Sequence, residues 1–516
     1  RPLKEGLLQL QPLQILGGKL LALLPGGLRE LRLVEAAVGF GDLLQGAPLP
    51  GRGPDPSLHT ALFHNEGGGR FAEVTRGSGL VFNGFAMGCC AADIDNDGDP
   101  DVFISGFGRS ALFRNDGGGR FTDITRKAGV EDPGWGASAA FADYDRDGLV
   151  DLFVSRYVEY DPATAPGCRS PSGGPGYCPP EVYPATPDRL YRNRGDGVFE
   201  DVTRRAGISA EKTRGLGVLW TDFDQDGYPD IFVACDQSPN VLWHNRRNGT
   251  FENVGSALGV ALDDQGRIQN GMGVDFADPD HDGDQDGVVA NFSGQANSYY
   301  ENDRGHGFFY HSASSGLGAP SVRMLGFGCN FLDYDGDGWE DLFVANGHVN
   351  DHISEAVPDL TYAQPASLYR NLGGGRFTEV KGPAGQSLWR ERVSRGSAVA
   401  DYDGDGAPDL LVTNSNDQVE LFHNEARPGA RWLTVRLQGT KSNRSGIGAR
   451  IRLTAGGTRQ TREVRAGSSY LCQSDLAQTF GLGSAERVDA LEVRWPSGKV
   501  TTLRNVAGGR VLNIRE

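Results

Sequence analysis

The chain has 516 residues, of which 75 are glycine and 38% are hydrophobic, and its formal charge is −17. That length allows several domains or one large closed architecture with an appendage, and so much glycine favours many short strands joined by tight turns over long helices. The acidity excludes nucleic acid as a partner, because phosphate binding needs a basic face.

Residues 7–33 are leucine-rich, but Gln9, Gln11, Gln14, Gly17, Gly18, Lys19 and Pro25 interrupt them. No apolar run reaches the roughly 18 residues of a membrane helix. Nothing there resembles an intact signal peptide with its cleavage site, so the expectation is a mature or trimmed chain. Residues 1–32 are therefore set apart, and residues 33–44, LVEAAVGFGDLL, read as strands of a degenerate repeat.

From residue 62 onward one pattern recurs seven times: a hydrophobic or aromatic pair, a variable residue, Asn, a Gly-rich turn, then Phe. The asparagines are Asn65, Asn115, Asn193, Asn245, Asn302, Asn371 and Asn424, and the last copy lacks the turn and the Phe. Successive asparagines lie 50, 78, 52, 57, 69 and 53 residues apart, the long gaps being insertions. A unit of about 50 residues with four short strands must bury its faces on its neighbours, and radial closure also protects the sheet edges. The expected fold is all-β, a seven-bladed β-propeller over residues 33–427.

Interleaved with the asparagines are six copies of Asp-x-Asp-x-Asp-Gly-x-x-Asp. The first offers the carboxylates of Asp93, Asp95, Asp97 and Asp101 and the main-chain carbonyl of Asp99. The second offers Asp143, Asp145, Asp147 and Asp151 with Leu149, and the third Asp222, Asp224, Asp226 and Asp230 with Tyr228. In the fourth the set is Asp278, Asp280, Asp282 and Asp286 with Asp284, and in the fifth Asp333, Asp335, Asp337 and Asp341 with Trp339. The sixth has Asp401, Asp403, Asp405 and Asp409 with Ala407. Hard oxygen donors in that number suit Ca²⁺. The last carboxylate falls at position nine, where an EF-hand has Glu at twelve, and the flanks Gly217–Thr221 and Ile231–Ala234 are β-prone, so these are loops between strands. One Asp-rich turn would read as a surface loop; six at repeat spacing point to about six Ca²⁺ ions, which would bring the charge to about −5. The expected role is structural, because a catalytic ion needs an open position and a substrate pocket.

Seven cysteines fit neither a dense disulfide scaffold nor a zinc ribbon. Cys168 and Cys178 bracket a loose Pro/Gly-rich insertion that a bridge would tie down, with free thiols the alternative. Cys89 and Cys90 alternate across a strand as buried small residues. Arg194-Gly195-Asp196 spells an adhesion tripeptide, but it falls where a repeat turn needs Gly and Asp anyway. His348 and His352 have metal spacing for a helix, yet they follow a predicted strand. His64, His244 and His423 share the variable position before the repeat Asn and read as surface residues. After residue 429 the repeats stop, and residues 428–516 form a separate small β domain in which basic residues outnumber acidic ones.

The repeats resemble FG-GAP/VCBS repeats, which build integrin-α-like propellers. Gly446-Ile-Gly-Ala-Arg450, Phe480-Gly-Leu-Gly483 and Trp495-Pro-Ser-Gly498 resemble the ASPIC/UnbV domain. The resemblance implies a calcium-binding protein outside the cytoplasm, at the cell surface or in the periplasm, with no established general enzymatic activity. Thr479 departs from the family, which often has His there, so no histidine role carries over. The leading expectation is a non-enzymatic scaffold that binds a protein or glycan partner or copies of itself. Rival readings are a propeller-based polysaccharide hydrolase or lyase, for which no nucleophile, base and orienter converge in the sequence, and a subunit of an envelope complex or filament.

Overall fold

The computed structural model describes residues 20–24, 32–36, 60–169, 173, 175–176, 178–382, 387–426 and 429–516. Among these, seven antiparallel meander sheets follow one another along the chain. The innermost strands are Leu20–Leu24, Phe85–Ala92, Gly136–Ala142, Gly215–Thr221, Gly271–Ala277, Gly326–Leu332 and Ser394–Ala400. Each packs on the next, and Leu20–Leu24 packs on both Phe85–Ala92 and Ser394–Ala400, which closes the ring into a β-propeller. The first strand lies inside the leucine-rich segment expected to stand apart from the propeller, and it pairs with Arg32–Ala36. Residues 37–44 of the expected degenerate repeat lie outside the described residues.

Blades are stapled to one another by the repeat asparagine. In blades three to seven its side-chain amide donates both to a carbonyl of its own acidic loop and to the second residue of the preceding loop. Asn193, for example, reaches Val150 O at 3.0 Å and Ile94 O at 2.8 Å. Asn65 of the first blade donates to Tyr402 O of the last at 2.8 Å, which carries the same staple across the closure. The asparagine's backbone N–H is held by the final loop carboxylate, as for Asn193 on Asp151 at 2.8 Å. These bonds are buried, so losing one costs the desolvation of its carbonyl as well as the bond.

Residues 430–516 form two sheets of their own. One orders Gln478–Gly481, Trp432–Gln438 and Arg510–Arg515; the other orders Thr458–Glu463, Arg450–Ala455, Arg487–Arg494 and Val500–Ala507. This domain was expected to be separate, yet one hydrophobic core runs through Ile94, Phe141 and Trp220 of the propeller into Ile447, Val464, Phe480 and Trp495. Its hairpin of residues 464–476 enters the propeller's central channel. Ala466 O accepts Phe141 N–H at 2.8 Å, Ser469 exchanges two backbone bonds with Val274, Leu471 O accepts Cys89 N–H and Asp475 N–H reaches Val399 O. Gln473 closes a two-way amide pair with the backbone of Ala91. Unpaired backbone groups on the channel edges of the inner strands are thereby satisfied.

Room for this comes from glycine. The inner strands Gly215-Leu-Gly217, Gly271-Met-Gly273 and Gly326-Phe-Gly328 each shift register after this triplet. A Cβ on Gly273 would meet Phe327 O at 2.2 Å and the Ser469 carbonyl carbon at 3.2 Å. Gly273→Ala is therefore expected to lower stability by about 2 kcal/mol or more. Gly77→Ala, where nothing lies within 4 Å, should stay within about 0.5 kcal/mol of the parent. Equal melting of the two variants would show that the channel is not packed this way.

Candidate metal centres

All six acidic loops join the first strand of a blade to the second. Position four of each is left-handed: Asn96, Arg146, Gln225 and His281 have φ of 60°, 61°, 59° and 64°, and loops five and six place Gly336 and Gly404 there. Gly98 at position six has φ of 105°, a conformation barred to side-chain-bearing residues, and its N–H donates to Asp93 Oδ2 at 2.8 Å. The N–H of Asp97 donates to Asp93 Oδ1 and that of Asp99 to Asp97 Oδ1. The same bracing recurs in the later loops, for example Gly338 N–H on Asp333 and Trp339 N–H on Asp337. Position one is thus aimed inward by the turn it organises.

This folding gathers positions one, three and nine. Asp93, Asp95 and Asp101 bring one oxygen each within 4.8 Å of one another, as do Asp143, Asp145 and Asp151, and Asp222, Asp224 and Asp230. Burial pushes their carboxyls up: Asp93 to about 6, Asp143 and Asp222 to about 7, and Asp101 to about 8, with repulsion from neighbouring loop carboxylates adding to the effect. Asp278 reaches about 8 and Asp333 and Asp401 about 7 for the same reasons. Several buried oxygens, Asp222 Oδ1, Asp230 Oδ2, Asp278 Oδ2 and Asp284 Oδ1 among them, accept no hydrogen bond. Crowded, desolvated, all-oxygen donors with unused lone pairs fit a hard divalent cation.

Part of the charge is balanced by the residue before the repeat asparagine. Arg192 lies 2.6 Å from Asp145 and 3.1 Å from Asp147, and Arg370 lies 3.0 Å from Asp335 and 2.9 Å from Asp337. His244 and His423, expected as surface residues, are partly buried, at 3.1 Å from Asp224 and Asp409 respectively. The signal was present in the sequence as an Arg or His at one position in every copy but that of Glu301, but only the fold turns that position toward the loop.

The C-terminal domain sits on this loop face and touches every loop. Arg444 N–H donates to Asn96 Oδ1 at 2.7 Å, Arg146 to Pro496 O at 2.7 Å, Arg450 to Asp222 O at 2.8 Å, and Arg465 to Gln285 Oε1 at 2.5 Å. Arg462 pairs with Glu340, and Gly406 of the sixth loop packs under Trp432. Loops also grip one another: Asn96 donates to Gly148 O, Gln225 to Gly283 O, and His281 stacks on Trp339 at 3.8 Å. Thr479, at the family's histidine position, lies 2.9 Å from the Thr434 hydroxyl.

Elsewhere, Cys168 and Cys178 are bridged, and Cys89 and Cys90 are buried. His348 is buried, with Nδ1 accepting Asn350 N–H at 3.0 Å, whereas His352 is exposed and bonded to Glu355. The proton of His348 is thus on Nε2, which donates toward Ser293 Oγ at 3.3 Å, the wrong tautomer for activating that hydroxyl. No helix among the described residues is long and apolar enough to cross a membrane.

Comparison with known proteins agrees with this architecture. A family model described as FG-GAP-like repeat matches residues 53–104, 93–154, 182–233, 222–289 and 333–412, and one described as ASPIC and UnbV matches residues 439–516. Cartilage acidic protein 1 of Homo sapiens is 30% identical over 344 residues, 66% of this chain and 49% of that protein. Its Mus musculus counterpart is 29% identical over 66% of this chain and 50% of its own length. The chain spans about half the length of the curated relatives it matches. Among solved structures, YCF48 bound to D1 peptide aligns at 9% identity with a TM-score of 0.46, covering 81% of this chain and 96% of that one.

Each raised carboxyl has a folded-state pKa above its unfolded value near 4, so the folded chain binds more protons and its metal-free stability falls as pH rises from about 4 to about 8. In chelator the protein is expected to melt at a higher temperature near pH 5.5 than near pH 7.5, and excess Ca²⁺ should reverse that order. A chelated melting temperature that climbs with pH would contradict the loop assignment.

Proposed function

For a chain that belongs to the family of FG-GAP-like repeat proteins with a C-terminal ASPIC and UnbV domain, we propose a non-enzymatic, calcium-stapled scaffold that works outside the cytoplasm and binds a protein or glycan partner. The observation that carries this reading is the convergence of six oxygen-rich loops on one propeller face, clamped beneath a domain whose hairpin fills the central channel. Asp93, Asp95 and Asp101, with their counterparts in the other loops, would hold the ions. Bound Ca²⁺ would supply the positive charge that lets those buried carboxylates ionise together.

A propeller enzyme would need an open central face, and here that face is occupied by residues 464–476. The Cys168–Cys178 bridge fits an oxidising compartment, and loops of this kind often bind Ca²⁺ only at the concentrations found outside cells. Partners would then bind on the outer strands or on the face opposite the loops. Among the described residues no specific feature favours assembly into an envelope complex or filament.

Titration of the chelated full chain is expected to take up about six ions, one per loop, with a stabilisation of about 2.7 kcal/mol per site at a hundredfold excess over Kd. Hydrogen exchange followed in parallel should show residues 464–476 gaining protection as the loops fill, because the domain grips the loops it caps. Uptake of few ions without a rise in melting temperature would overturn the scaffold reading.

A further inference from the structure

The residue before the repeat asparagine differs from loop to loop, and in loop three it changes the kind of donor on offer. Arg192 and Arg370 bring a fixed positive charge to loops two and five. In loop six the imidazole of His423 plays that part, with Nδ1 hydrogen-bonded to Asp409 Oδ1 at 3.1 Å. His244 of loop three is placed differently. Its Nε2 lies 3.1 Å from Asp224 Oδ2, yet this buried nitrogen has no hydrogen-bond partner. The Phe223 ring makes a T-shaped contact with the imidazole at 5.6 Å, which restrains the ring beside the loop.

Asp224, Asp226 and His244 each bring one ligand atom within 4.8 Å of the others, and Asp224 also belongs to the cage of Asp222 and Asp230. Two atoms of that cage, Asp222 Oδ1 and Asp230 Oδ2, are buried and accept no hydrogen bond. Asp226 is held by Arg247. What remains is an imidazole beside the carboxylates of Asp222, Asp224 and Asp230. Two ligands of one ion, each about 2.1 Å from it, stand roughly 3.0–3.5 Å apart, which is the separation of His244 from Asp224. An imidazole that served only to balance charge would point its N–H at the carboxylate, as His423 does. Calcium takes oxygen donors, whereas an imidazole among carboxylates suits a first-row transition metal such as zinc.

We infer that loop three is a mixed nitrogen–oxygen site that takes a zinc ion in preference to calcium, with His244 Nε2 as a ligand beside Asp222, Asp224 and Asp230. Where zinc is absent, the loop takes calcium. The inference rests on the reading of the acidic loops as cation cages and adds a second metal to it.

The test is equilibrium dialysis of the chelated full chain against zinc in a large excess of calcium, with bound metal counted by elemental analysis. One zinc ion per chain is expected to be retained, and its X-ray absorption spectrum should carry the scattering pattern of an imidazole ligand. His244→Arg, which installs the residue of loops two and five, and His244→Gln should each weaken zinc retention by about tenfold or more. His64→Ala, at the same repeat position in a blade whose sequence has no acidic loop, should leave it unchanged. Calcium uptake in zinc-free solution serves as the folding check for each variant. A chain that takes up calcium but retains no zinc overturns the assignment of loop three alone. So do an all-oxygen shell around the retained zinc and retention that both His244 variants leave intact. A chain that takes up neither metal defeats the cation-cage reading itself.

Discussion

Repulsion among carboxylates held close together and away from water is the constraint around which the rest of this molecule is arranged. Each loop needs its aspartates inward to make a cage, and each inward aspartate loses hydration and gains like-charged neighbours. Three devices answer this. Backbone N–H groups of the turn bond the first carboxylate, in four of the six loops an Arg or His before the repeat asparagine reaches into the loop, and the all-oxygen cage is suited to a divalent ion. The first is built into the loop and the second comes from the neighbouring strand, so each loop depends on its blade.

The C-terminal domain extends that dependence across the ring. Its arginines meet loop carbonyls and side chains on successive blades, and its hairpin bonds to inner strands on opposite sides of the channel. A hairpin that touches several blades at once couples them, because displacing one blade strains its bonds to the others. Ser469 and Leu471 hold left-handed backbone angles at the tip, a local cost of about 1–3 kcal/mol each that persists only where surrounding contacts over-determine the conformation. Gly273 and Gly396 provide the close approach, the latter lying so near Cys472 that a side chain would overlap it. Capping and plugging are therefore one arrangement, and the asparagine staple ties each blade to its neighbour around it.

Much of this was legible before any coordinates. Strand-loop-strand units, the repeat length and the carboxylate-bearing loop positions follow from local rules: an aspartate ladder with Gly at position six folds into a tight turn, and alternating apolar residues beside it read as strands. Asn96, Gln225 and His281 were less legible. They occupy a slot between carboxylates that reads as variable, and their left-handed angles and their grip on the next loop arise only when loops stand side by side. The same holds for His244 and His423, whose partners lie at or just before the start of the blade's second strand in sequence but beside them in the fold.

Sequence alone determined the repeated units, their β character, the six acidic loops and the change of pattern after residue 429, because each is set by interactions within about fifty residues. Tertiary structure decided where the first blade begins, that the basic domain caps the acidic face, and that residues 464–476 occupy the channel. Those outcomes rest on contacts between groups hundreds of residues apart, such as Ala91 with Gln473 and Arg146 with Pro496. Such contacts leave no periodic trace along the chain, and only closure of the ring brings the groups together.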